Sequence, residues 1–124
     1  MRVKTAELSG AALDWMVWSI AGGPAAYPKM VGAAFLRAHA GRSAKYLHPS
    51  TDWAQGGPII DRELIGVCHY NETDGWEVPN WAAWRTDIDD RQQVMGETAL
   101  VAAMRCFVAS KLGGEVDVPE ELLS

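Results

Sequence analysis

The chain has little of what metal, redox and nucleic-acid sites are usually built from. It has two cysteines, Cys68 and Cys106, with no CxxC pair and no histidine-rich company, so a zinc ribbon or dithiol centre is excluded by spacing. In a reduced compartment both read as small buried hydrophobes. The three histidines, His39, His48 and His69, show no metal-ligand spacing. Cys68 and His69 are adjacent, so in a strand they point to opposite faces. Positive charge is also scarce. Eleven Lys and Arg stand against sixteen Asp and Glu, a net charge of −5, which argues against binding a nucleic-acid backbone. No apolar run approaches the ~18 residues that would span a bilayer. The basic start Met1-Arg2-Val3-Lys4 is followed by no apolar segment and no cleavage site. Catalytic signatures of the GxSxG, HExxH and GxxxxGK types are missing. No catalytic residue, cofactor or metal is expected.

What the chain does have is tryptophan, six in 124 residues, within an ordinary soluble composition of 48% hydrophobic and 22% charged residues. A chain of this length reads as one domain, residues 1–124, able to bury about two-thirds of its unfolded surface. Indole nitrogens need partners, so some of the tryptophans should lie near the surface.

The most specific stretch runs from His48 to Glu63. Ser50 or Thr51 is suited to cap a helix. Asp52 would place negative charge at its positive end. Trp53, Gly57, Ile60 and Leu64 fall on one helical face. Gly56-Gly57-Pro58 opposes that helix, since glycine costs about 1 kcal/mol and interior proline about 3. The helix therefore either kinks or restarts at Pro58. Such a conflict marks a tightly packed or functional site. In the packing reading, Gly57 lets another backbone approach. In the functional reading, amides near the break and the polar ends of Thr51, Asp52 and Gln55 face a ligand.

Along the rest of the chain, Val3–Leu8 reads as a strand or extended lead-in. A helix follows after Ser9, with Leu13, Met16, Val17 and Ile20 inward, Asp14 and Ser19 off that face, and a stop at Gly22-Gly23-Pro24. Residues 24–47 form a variable loop with a short helix over Ala33–Ala40. Arg37, Arg42 and Lys45, near His39 and His48, make a solvated loop or an anion-binding lid over the Ser50–Thr51 helix start. Leu64–Tyr70, Trp76–Val78 and Trp81–Arg85 read as strands around a turn at Asn71–Gly75. Trp76, Val78, Ala82 and Trp84 would share one face. Asp87, Asp89 and Asp90 sit in an acidic loop running to Gly96, with no calcium-loop spacing. Thr98 caps a last helix carrying Leu100, Val101, Met104, Phe107, Val108 and Leu112, which Gly113-Gly114 ends. Arg105 in that helix would pair with Asp52 or Glu63 or stand exposed. Residues 115–124 form an acidic tail that docks through Val118, Leu122 and Leu123.

Three blocks carry a family resemblance: Val3–Leu8 with Gly10–Trp15, Ser50–Ile60 with its Ser-Thr-Asp-Trp-Ala-Gln-Gly-Gly-Pro run, and Leu100–Gly113. In them the chain resembles the NinX-like proteins, a phage and prophage family of unknown function. Where relatives tend to carry proline at the start of the last helix, this chain has Ala99. The order of elements also looks like a broader phage group with an α-β-α sandwich. The resemblance implies an α+β domain, with a small antiparallel sheet packed against helices, and a phage accessory protein in the host cytoplasm. It implies no catalytic residues.

The expected role is non-enzymatic binding of a small polar or nucleotide-like ligand. The candidate residues are Ser50, Thr51, Asp52, Trp53, Gln55, Gly56, Gly57, Trp84, Thr98 and Arg105. The alternative is an interaction module that engages a host protein or a second copy of the chain. A weak hydrolase built on the carboxylates near Asp52 ranks last.

Overall fold

The computed structural model describes residues 1–21, 32–40, 47–69, 81–86 and 93–123. Everything in it is arranged around the last long helix. In chain order the elements are β1 (Arg2–Lys4), a 3-10 turn (Thr5–Glu7), α1 (Gly10–Ala21), α2 (Gly32–Ala40), α3 (Trp53–Arg62), β2 (Ile65–His69), β3 (Trp81–Arg85), β4 (Val94–Gly96), α4 (Ala99–Leu112), β5 (Glu115–Asp117) and a second 3-10 turn (Glu120–Leu123). This is the mixed α+β class expected from the sequence. The strands form two antiparallel sheets, β2-β3-β4 and β1-β5.

Ala99 through Val108 are all buried. A helix apolar on every side has to lie inside the protein. The three-stranded sheet packs on one side of α4, while α1 and α3 also pack against it. The small residues Ala102 and Ala103, both fully buried, let the sheet come close. Gly96 is the tightest point: a Cβ there would stand 2.4 Å from the Ala102 nitrogen. The Thr98 side chain accepts the Val101 N–H at 3.1 Å, as the sequence predicts for the cap. At the far end the Gly113 N–H bonds the Ala109 carbonyl at 2.8 Å.

The terminal segments close the other side. Arg2, Val3 and Lys4 pair with Asp117, Val116 and Glu115. The tail docks through Val116, Val118 and Leu122, while Leu123 is 37% exposed. β4 was not expected, because three residues inside a polar stretch carry too little pattern. The Gly22-Gly23-Pro24 stop, the Asn71–Gly75 turn, the strand at Trp76–Val78 and the acidic loop at Asp87–Asp90 lie outside the described residues. Cys106 is buried, but Cys68 is only half-buried. No helix among the described residues is long and apolar enough to cross a membrane.

Candidate functional site

The stretch from His48 forms a closed turn that leads into α3. The Thr51 and Asp52 N–H groups bond the His48 carbonyl at 3.2 and 2.9 Å. The cap is Asp52 itself, rather than Ser50 or Thr51. Its Oδ1 accepts the Ala54 N–H at 2.9 Å and its Oδ2 accepts from Gln55 Nε2 at 2.9 Å. Gln55 Oε1 in turn accepts the His48 N–H at 2.7 Å. The polar ends of Asp52 and Gln55 are thus used in holding the helix start together. An extended backbone and a short carboxylate make Asp52 as good a cap as serine.

The helix runs unbroken from Trp53 to Arg62 with Pro58 inside it. Its buried face is not the expected one. Gly56 and Ile59 are buried, while Trp53 is 57% and Leu64 52% exposed. Gly56, not Gly57, makes the close approach. A Cβ at Gly56 would stand 2.4 Å from the Pro49 carbonyl oxygen and 2.5 Å from Leu100 Cδ2, whereas one at Gly57 would meet nothing within 4 Å. Turning the smallest residue toward α4 lets the two helices lie close, and that rotation leaves the indole of Trp53 outside.

One result is a cleft of about 290 Å³ lined by Ser50, Thr51, Trp53, Thr98, Ala99, Leu100 and Val101. Two helix starts meet there. The aligned amides of α3 and α4 both contribute positive potential, which favours an anionic or strongly polar group. Ser50 is 1% exposed, and its buried Oγ has no hydrogen-bond partner among the described residues. A larger cleft of about 340 Å³, lined among others by Val3, Leu8, Leu36 and Leu122, contains none of the expected site residues.

Of those residues, Ser50, Thr51, Trp53 and Thr98 are brought together. Asp52, Gln55 and Gly56 support them from α3, and Gly57 faces open space. Trp84 is placed elsewhere, on β3 opposite Gly66. Arg105 neither pairs with Asp52 or Glu63 nor stands exposed. It is 4% exposed, donating from Nε to the Leu8 carbonyl at 2.6 Å and from Nη1 to the Met95 carbonyl at 2.9 Å. Its Nη2 lies 3.7 Å from Glu97. It ties the lead-in after β1 to β4. Glu63 is paired with Lys111 at 2.9 Å, and that hydrogen bond holds its carboxyl below the usual range.

The sequence reading missed a second constellation. Asp14 is not off the buried face of α1 but 1% exposed. Its Oδ1 accepts the Ser50 N–H at 2.8 Å. Its Oδ2 lies 2.8 Å from His39 Nε2 and 3.9 Å from His48 Nδ1. The imidazoles of His39 and His48 stand 4.0 Å apart. Both histidines are part-buried beside Asp14, and Arg42 and Lys45, with the loop or lid expected there, lie outside the described residues. The sequence holds one signal for this cluster, an aspartate inside the apolar run Ala11-Ala12-Leu13-Asp14-Trp15-Met16-Val17. A buried carboxylate needs partners, and no local pattern named them.

No curated protein matches the chain. The family model described as Bacteriophage P22, NinX matches residues 4–111, from the last residue of β1 to the last turn of α4, and so includes both constellations described above. The chain belongs to the phage P22 NinX family.

Proposed function

We propose that this phage protein is a non-enzymatic binder of a small polar, nucleotide-like molecule, acting in the host cytoplasm, and that the cleft between the starts of α3 and α4 is its site. The observation that carries the reading is the Ser50 hydroxyl, buried without a partner at a cleft where two helix N-termini meet. A buried hydroxyl left unpaired costs about 1–3 kcal/mol, and a ligand acceptor or donor would recover that. Trp53 lines the same cleft with much of its indole in water, and an exposed indole face stacks on a base. Thr51 adds a second hydroxyl. Asp52 and Gln55 act as supports that fix the turn.

The test is native mass spectrometry of protein purified from a bacterial host, beside a denatured sample. Wild type is expected to carry a reproducible extra mass of a few hundred daltons that is lost on denaturation. Trp53→Ala, with an unchanged circular dichroism spectrum, is expected to lose it. A clean apo mass for wild type, or full retention in folded Trp53→Ala and Ser50→Ala, sinks this reading. The exposed Trp53, Leu64 and Leu112 favour the second reading, an interaction module for a host protein or another copy. Its signature in the same experiment is a discrete dimer or protein adduct that Trp53→Ala abolishes.

A further inference from the structure

We infer that Asp14, His39 and His48 form a binding site for one divalent transition-metal ion of the zinc type. Their candidate ligand atoms all lie within 4.8 Å of one another. A tetrahedral zinc ion with bonds of about 2.0–2.1 Å holds its ligands about 3.3 Å apart. The 2.8 Å separation of Asp14 Oδ2 from His39 Nε2 and the 3.9 Å separation from His48 Nδ1 bracket that value. Small rotations of two imidazoles on part-exposed side chains would equalise them.

A bond between Asp14 and His39 alone would account for one imidazole, a charge-assisted contact to a buried carboxylate. It does not account for the second. His48 Nδ1 is too far from Asp14 for a hydrogen bond, yet its ring is held 4.0 Å from that of His39. Two imidazoles turned toward one carboxylate oxygen is what a shared cation would require.

The surroundings fit as well. Asp14 Oδ1 is fixed by the Ser50 N–H, leaving Oδ2 as a single, oriented ligand oxygen. The His39 ring is stacked on Phe35 with centroids 5.6 Å apart. Such outer contacts hold ligands in place and raise affinity. The His39 and His48 side chains are 18% and 30% exposed, which gives an ion access and leaves its remaining position to water. Two nitrogens and one oxygen select zinc, nickel, cobalt or copper(II) over magnesium and calcium, which take oxygen ligands.

The ligands come from α1, α2 and the turn that opens α3. A bound ion therefore ties together three segments that no disulfide joins, and its ligand Asp14 accepts the N–H of Ser50, which lines the cleft.

Untagged protein, dialysed against chelator, would be titrated calorimetrically with Zn²⁺, then with Mg²⁺ and Ca²⁺. One equivalent of Zn²⁺ is expected to bind, with a rise in melting temperature, and Mg²⁺ and Ca²⁺ are expected not to compete. Asp14→Asn removes a buried support and can unfold the chain, so the deciding variant is His48→Gln, at the most exposed of the three positions. It is expected to weaken Zn²⁺ by at least about 100-fold, above the range seen for outer-contact losses, and to abolish the melting shift. His69→Gln, remote from the cluster in sequence and on β2, is expected to change neither. Absence of stoichiometric Zn²⁺ binding in wild type, or unchanged binding in folded His48→Gln, overturns the inference.

Discussion

α3 and α4 begin side by side and line the same cleft, yet different forces hold them. α4 is surrounded: it has a sheet on one side, α1 and α3 on others, and a buried arginine bonded to two carbonyls. α3 has half of its residues exposed and carries two glycines and a proline. Its start is held by short polar links among Asp52, Gln55 and His48. The contrast shows what each sequence can afford. Burial stabilises a helix whatever its caps, whereas an exposed helix with poor propensity depends on its caps and on one close contact.

The largest expected effect tests the buried member of the pair. Arg105→Ala leaves the Leu8 and Met95 carbonyls without their donor and opens a cavity. It is expected to cost about 3–5 kcal/mol in urea denaturation. A loss below about 1 kcal/mol would show that α4 does not depend on that tie.

The two glycines of α3 sharpen the comparison, because they are neighbours with opposite surroundings. Gly56→Ala must displace the Pro49 carbonyl and the Leu100 side chain, and is expected to destabilise by about 1–3 kcal/mol. Gly57→Ala meets nothing within 4 Å and is expected to stabilise by about 0.5–1 kcal/mol. Thermal melts of both variants give the signs directly. Equal effects would mean that α3 is not held by close packing at Gly56.

Asp52→Ala removes the cap and releases Gln55. An exposed cap of this kind is expected to be worth about 1 kcal/mol, seen as a lower denaturant midpoint. Thr98→Ala, at the start of the buried helix, is the matched control. If Thr98→Ala costs more than Asp52→Ala, the contrast between a capped helix and a packed one fails.

The smallest effect is electrostatic and joins the two helices, since Glu63 follows α3 and Lys111 lies in the last turn of α4. The Glu63 carboxyl is held below its ordinary value of 4.5, chiefly by the Lys111 hydrogen bond. A lowered folded-state value means the pair stabilises above the unfolded value and loses its contribution as pH falls through the folded one. Lys111 is 39% exposed, so the contribution is expected to stay below about 1 kcal/mol. Glu63→Gln should flatten that part of the acid limb below about pH 4.5 and leave stability near neutrality almost unchanged. A stability profile with the same acid slope in both proteins would contradict this.

α4 was legible because fourteen residues of local pattern, a threonine cap and a glycine stop all agree. The strands at Ile65–His69 and Trp81–Arg85 were legible as short β-rich runs between turn residues, and the helix at Gly32–Ala40 only as a short run inside a stretch whose periodicity is otherwise broken. The rotation of α3 was not. Its apolar residues allow more than one face, and only the shape of the Pro49–Leu100 surface chooses Gly56 over Gly57. Trp84 and Arg105 were grouped with the Ser50 turn on residue type, but strand register and helix packing put them elsewhere.

The sequence by itself determined the α+β class, the family, a helix in the stretch after Ser50 and a last helix capped by Thr98, because each rests on neighbours in the chain. The tertiary structure alone decided that Ser50 would be buried with its hydroxyl unpaired among the described residues. It also decided that an aspartate on α1 would meet two histidines 25 and 34 residues further along. Those contacts depend on how three segments pack, and burial charges a carboxylate for solvation at a point that no local periodicity records.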